Sequence, residues 1–173
     1  EKYINNERNK EDDINIFITD NSFNVISNSR RENLVVNILE NMGFKYDTIK
    51  PKYVLYLDEN SEYNKSISTK KEEKHVDDWY GHHFYEKITD TVKETVIVTV
   101  TLTHGRYSKS EKVELSNEYI ITYLRGDVPA FETQMVNTST SRELGKSKII
   151  QEQGHKIELA IESLVRDFAR NVR

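Results

Sequence analysis

The residues of this chain that are best suited to chemistry lie in one short, polar stretch. They are three histidines and two aspartates, His75, Asp77, Asp78, His82 and His83. Imidazole nitrogens and carboxylate oxygens are the ligands that zinc and similar divalent metals take from proteins. One hypothesis is therefore a metal site with the ligands His75, Asp77, His82 and His83. The alternative is an exposed polar loop, because the spacing matches no closed metal site and Gly81 disfavours a helix here.

Aromatic residues lie on either side of His82 and His83, and they suggest a second kind of site. The group consists of Trp79, Tyr80, Phe84 and Tyr85. Aromatic side chains gathered at an exposed tip are typical of surfaces that bind a protein partner. The alternative is that the stretch folds back and covers an open face of a sheet.

Several classes of chemistry are excluded or disfavoured by the sequence. The chain has no cysteine, which excludes disulfides, thiol catalysis and cysteine-type zinc sites. It also has no nucleophile-elbow motif and no glycine-rich phosphate loop. The net charge of −4 disfavours a nucleic-acid partner. We therefore expect a protein that is not an enzyme, with no catalytic residue and no cofactor.

The elements that position these residues centre on segment 91–103, the longest run of β-branched residues in the chain. Val96, Val98, Val100 and Leu102 alternate there with Ile97 and threonines, which predicts a strand with one apolar face and one threonine-rich face. If the threonine-rich face is open, Thr99 and Thr101 are candidate partner contacts.

The other segments predict strands and two amphipathic helices. The additional strands are predicted at 14–19, 52–57, 111–125 and 131–139. The first helix begins at a Ser29–Glu32 capping box and ends at Gly43. The second begins at about 150–155 and carries apolar residues at helical spacing from Ile157 to Val172.

This order of elements, β-α-β-β-β-β-α, predicts the α+β class. The expected architecture is a two-layer sandwich, in which two helices pack on one face of a five-stranded mixed sheet. Residues 14–173 are expected to form a single domain and residues 1–13 a flexible tether. Segment 58–90 is predicted to be a long loop, within which 61–69 is a candidate strand extension.

The same order supports a resemblance to a known class of protein. It rests on the helix segment 31–44 (RENLVVNILENMGF), the strand 53–57, the insertion with tryptophan, tyrosine and glycine, the long hairpin and the closing helix 157–168. In topology the chain resembles small lipoprotein domains of Gram-negative cell envelopes. More distantly, it is similar to penicillin-binding-protein activator lipoproteins and the N-terminal domain of TolB. The resemblance implies a lipidated cysteine upstream of Glu1 and no catalytic residues.

These inferences lead to one functional expectation and two alternatives. We expect a periplasmic, outer-membrane-anchored lipoprotein domain that binds an envelope protein partner or supports an envelope assembly. Its membrane contact would be limited to an N-terminal lipid anchor, and self-association into a homo-oligomer stays open. The alternatives are a metal-binding protein that uses the 75–83 stretch and a cytosolic domain that binds a small ligand or acts as an immunity protein.

Overall fold

The structure is a computed structural model that describes residues 21–132 and 142–172. This part of the chain forms a five-stranded mixed sheet and three helices. The strands are β1 (Ser22–Ser27), β2 (Lys45–Tyr46), β3 (Tyr53–Asp78), β4 (Gly81–His104) and β5 (Tyr107–Gly126). The helices are α1 (Glu32–Asn41), α2 (Lys146–Glu152) and α3 (Gly154–Val172). The predicted five-stranded mixed sheet is confirmed, whereas the predicted element order and the two-helix count are wrong.

The strands lie in the order β2-β1-β3-β4-β5. β1 pairs in parallel with both β2 and β3, with Val25 opposite Leu55 in the second pair. Two residues connect β3 to β4, and two connect β4 to β5. Connections this short join only antiparallel neighbours, which accounts for the mixed character of the sheet.

The described residues divide into two compact units. The first unit contains residues 21–61, 98–113 and 154–172, and the second contains 62–97, 114–132 and 142–153. The long strands β3, β4 and β5 therefore each contribute residues to both units.

The core of the first unit follows the predicted patterns. α1 packs against α3, and each buries one apolar stripe, as the helical spacing predicts. On the sheet, Val98, Val100 and Leu102 are fully buried, while the threonines between them are only half-buried. The ring of Phe168 on α3 contacts the rings of Tyr53, His104 and Tyr107. Each buried side chain of this kind contributes about 1.5–3 kcal/mol to folding.

The second unit has its own core, formed by apolar residues of β4, β5 and α2. Its buried members are Tyr85, Ile88, Val92, Val96, Leu115, Tyr119 and Ile149. One charged residue, Glu94, is buried among them.

The prediction of a loop at 58–90 is wrong. These residues form the outer part of β3 and the first part of β4, on either side of a two-residue turn. Only the candidate extension 61–69 anticipated part of this. Residues 62–71 are all exposed, so they lack the apolar alternation by which a strand is recognised in sequence. The pairing of β3 with β4 is accompanied here by polar cross-strand contacts. One of them is the 2.7 Å hydrogen bond from Thr69 Oγ1 to Asp90 Oδ1.

Three other details differ from the expectations at the level of single elements. Residues 22–27, for which no strand was predicted, form β1, because Phe23 and Val25 are buried in the core between polar neighbours. The capping box is absent: Arg31 is the N-cap of α1, and no side chain caps it. The final helix, α3, begins at Gly154, within the predicted range, but a separate helix, α2, that was not predicted precedes it.

Two predicted strands and the tether are not matched by described structure. Segment 14–19 and the tether at 1–13 lie outside the described residues. In segment 131–139, residues 131 and 132 lie in a turn, and the others are outside the described residues.

Candidate functional site: the tip of the β3–β4 hairpin

The histidines, aspartates and aromatic residues singled out from sequence lie at the tip of the hairpin formed by β3 and β4, in the second unit. Trp79 and Tyr80 are the two turn residues, with 93% and 90% of their surface exposed. The backbone N–H of Tyr80 donates a 2.8 Å hydrogen bond to Asp78 Oδ1. Gly81 follows with φ of +124°, a conformation that favours glycine.

Three of the four predicted metal ligands meet on one face of this hairpin. His75 Nε2 lies 2.7 Å from Asp77 Oδ1, and His82 Nδ1 hydrogen-bonds to the same oxygen. Each of the three offers a ligand atom, and these atoms all lie within 4.8 Å of one another. The hydrogen bond with His82 is the main cause that holds the pKa of Asp77 below its usual range.

His75 is further held in place by an aromatic neighbour. Its ring stacks on Phe84 with the centroids 4.4 Å apart and the planes within 3° of parallel. Phe84 nevertheless keeps 66% of its surface exposed. The three-residue group therefore has a fixed imidazole and remains open to solvent.

His83, the fourth predicted ligand, lies in a different set of contacts. Its Nε2 is 2.8 Å from Asp78 Oδ1, and its Nδ1 is 3.0 Å from Asp127 Oδ2. These hydrogen bonds, that to Asp78 first, raise the pKa of His83. Both ring nitrogens are thus engaged by carboxylates, and His83 connects the hairpin tip to the residue that follows β5.

The aromatic residues predicted as partner contacts separate into two groups. Trp79, Tyr80 and Phe84 are exposed, as a contact surface requires. Tyr85 is only 5% exposed, and burial, together with Glu132, raises its pKa. Tyr85 therefore belongs to the core of the second unit and offers little surface to a partner.

The two predicted threonine contacts lie in the first unit, on β4. Thr99 and Thr101 are both half-buried. The hydroxyl of Thr101 shares a 2.7 Å hydrogen bond with Ser110 Oγ on β5. Part of its hydrogen-bonding capacity is thus used inside the sheet.

Glu94 is a polar centre that the sequence analysis missed. Its carboxylate accepts hydrogen bonds from the Tyr63 hydroxyl at 2.7 Å and the Asn117 amide at 2.6 Å. It also accepts from the backbone N–H groups of Leu144 at 3.0 Å and Gly145 at 2.9 Å. Burial alone would raise the pKa of Glu94, but these bonds outweigh burial and lower it to about 2.

This arrangement gives Glu94 a structural role. Its carboxylate fastens residues 144 and 145, immediately before α2, to β4 and β5. The sequence does contain a signal for it, because Glu94 has the same strand parity as the buried Val92 and Val96.

A surface hollow of about 460 Å³ lies next to Phe84. Its lining residues are Glu73, Lys74, Phe84, Tyr85, Glu86, Arg125 and Gly126. Arg125 and Glu86 form an ion pair at 2.7 Å within this lining. The hollow thus combines one exposed aromatic ring with paired charges.

Comparisons with known proteins return no family for this chain. No protein-family model matches it, and no curated protein matches it. In the described residues, no helix is both long enough and apolar enough to cross a membrane.

Proposed function

We propose that this chain is a non-enzymatic binding domain that contacts a protein partner through the tip of the β3–β4 hairpin. The observation that carries the proposal is the exposure of Trp79 and Tyr80, each over nine-tenths, at the turn between two long strands. Large aromatic side chains are the residues that most often dominate binding energy at protein interfaces.

The folding of the hairpin does not account for these two residues. Two-residue hairpin turns favour asparagine and glycine, which tolerate a positive φ. Here Gly81 takes the positive φ, and no described residue other than glycine has one. Trp79 and Tyr80 therefore occupy ordinary backbone conformations that smaller polar residues could fill, and neither side chain is buried.

Phe84 extends the same surface along β4. It presents 66% of its surface beside the hollow, and His75 supports its ring from one side. An exposed aromatic ring whose partner already holds it in place loses little conformational freedom on binding. The proposed contact surface therefore consists of Trp79, Tyr80 and Phe84.

The location of the protein is part of the proposal and rests on the resemblance alone. A partner in the cell envelope is what that resemblance favours. The gene sequence upstream of Glu1 tests it: a signal peptide that ends in a lipid-modified cysteine supports an envelope lipoprotein, and a cytosolic start without a leader contradicts it.

Binding by the tip is tested by co-purification from the native host, comparing the double variant Trp79→Ala/Tyr80→Ala with wild type. The matched control is Ile49→Ala, because Ile49 is 92% exposed and lies outside the tip. We expect a partner to be recovered with wild type and with the control variant, and to be lost with the double variant. The unfolding temperature of the double variant should equal that of wild type. Equal recovery with all three proteins would contradict the proposal.

A further inference from the structure

We propose that His75, Asp77 and His82 form a binding site for a divalent transition-metal ion of the zinc class. The site lies beside the aromatic tip but does not depend on the proposed partner binding. It also differs from the four-ligand set considered from sequence, because His83 is excluded from it.

The hairpin brings the three ligands together through ordinary strand geometry. His75 and Asp77 are two residues apart on β3, so their side chains project from the same face. His82, at the start of β4, reaches that face from the opposite strand and meets Asp77 Oδ1. The ligands therefore come from both strands of a paired element, which fixes their relative positions.

The distances suit a small cation. A tetrahedral zinc ion with ligands at about 2.0–2.2 Å holds neighbouring ligand atoms roughly 3.3 Å apart. The three ligand atoms are all within 4.8 Å of one another, with His75 Nε2 only 2.7 Å from Asp77 Oδ1. Small side-chain rotations are enough to admit an ion between them.

The donor chemistry narrows the class of ion. Two imidazole nitrogens and one carboxylate oxygen suit zinc, nickel, copper and iron(II) better than magnesium or calcium, which prefer oxygen ligands. Three protein ligands leave at least one coordination position for water. His75, Asp77 and His82 are all exposed, so an ion can reach them without a change in the core.

One neighbour prepares the site for binding. The parallel stack of His75 on Phe84 fixes the plane of the imidazole. A ligand whose orientation is fixed in advance loses less freedom when the metal binds. Phe84 acts here as a positioning residue and offers no ligand atom.

Isothermal titration of the full chain with zinc chloride tests the proposal, with magnesium chloride as the comparison ion. We expect one zinc ion to bind with micromolar affinity and magnesium to produce no comparable binding. Replacing a ligand, as in His75→Ala, Asp77→Asn or His82→Ala, should weaken zinc binding by at least roughly tenfold.

Two histidine variants serve as matched controls. His83→Ala removes the histidine adjacent to His82, and His155→Ala removes an exposed histidine at the start of α3. Both should retain the zinc affinity of the wild type. Absence of zinc binding at tens of micromolar, unchanged binding in His82→Ala, or an equal loss in His83→Ala would each overturn the three-ligand site. None of these results bears on the co-purification test.

Discussion

Glu94 shows how one side chain can organise a neighbouring segment. A buried carboxylate is unfavourable unless hydrogen bonds compensate for its lost hydration. Here four donors surround it, two of them backbone N–H groups that precede α2. Glu94 therefore stabilises the folded protein by holding residues 144 and 145 in place.

We predict that Glu94→Gln lowers the free energy of unfolding by about 1–3 kcal/mol, because the amide group places a donor against donors. Urea unfolding at neutral pH measures the change. The matched control is Glu114→Gln, at an exposed position on β5, which should change stability by less than about 0.5 kcal/mol. An equal loss in both variants would show that the buried hydrogen bonds are not the cause.

The same carboxylate has a predicted pH dependence. Its pKa is lowered on folding, from an ordinary 4.5 to about 2, so its stabilising contribution is present above pH 4.5 and is lost as the pH falls towards 2. The stability difference between wild type and Glu94→Gln should therefore shrink across that window. A difference that stays constant from pH 5 to pH 2.5 would contradict this.

Among the elements, α3 could be predicted from the sequence, whereas the outer half of the β3–β4 hairpin could not. The α3 stripe was predictable because one face of the helix is buried, from Ile157 to Ala169. The outer half of β3 has both faces exposed, so no periodicity marks it. Cross-strand pairing shapes this half of the hairpin, and pairing leaves little trace in a single sequence.

The residues of the candidate metal site could likewise be predicted only in part. Sequence identified His75, Asp77 and His82 from their residue types alone. It could not separate them from His83, because the distinction depends on which face of a strand each side chain occupies. That requires the strand assignment, which the loop prediction at 58–90 did not supply.

Gly126, the last residue of β5, lies close to the backbone of β4. Gly126 has φ of +109°, and a Cβ there would lie 3.0 Å from the Phe84 carbonyl oxygen and 3.2 Å from Tyr85 Cα. Gly126→Ala should therefore lower the free energy of unfolding by about 1–3 kcal/mol, since backbone atoms must move.

Gly81→Ala is the matched control for this variant. Gly81 has a similar φ, of +124°, but a Cβ there meets open space. Its substitution should cost about 1–2 kcal/mol, from backbone conformation alone. Chemical denaturation of both variants measures the difference, and an equal or larger loss at Gly81 would contradict the close-approach argument.

For the whole molecule, the sequence predicted β4 and the helical faces of the first unit, where apolar residues repeat regularly, but it did not predict β1 or β2. It did not predict the division into two units, because β3 and β4 run without interruption through residues 61–62 and 97–98. Function was less accessible still. The exposed aromatic turn is informative only once its exposure is known.

Phe168 tests how far the stability of the whole protein depends on the core of the first unit. Its ring is fully buried against Tyr53, His104 and Tyr107. Phe168→Ala should lower the free energy of unfolding by about 3–5 kcal/mol, a large part of the total for a protein of this size. Leu159→Ala on the same helix is the control, because Leu159 is 62% exposed and should cost little. Thermal and urea unfolding measure both, and similar losses would contradict the predicted core.

The most direct test of the binding account is site-specific photo-crosslinking in the native host. A photoreactive amino acid replaces Trp79 in one variant and the equally exposed Ile49 in another. We predict a discrete crosslinked protein adduct from position 79 and none from position 49. No adduct at position 79, or the same adducts from both positions, would contradict the proposal that the hairpin tip contacts a partner.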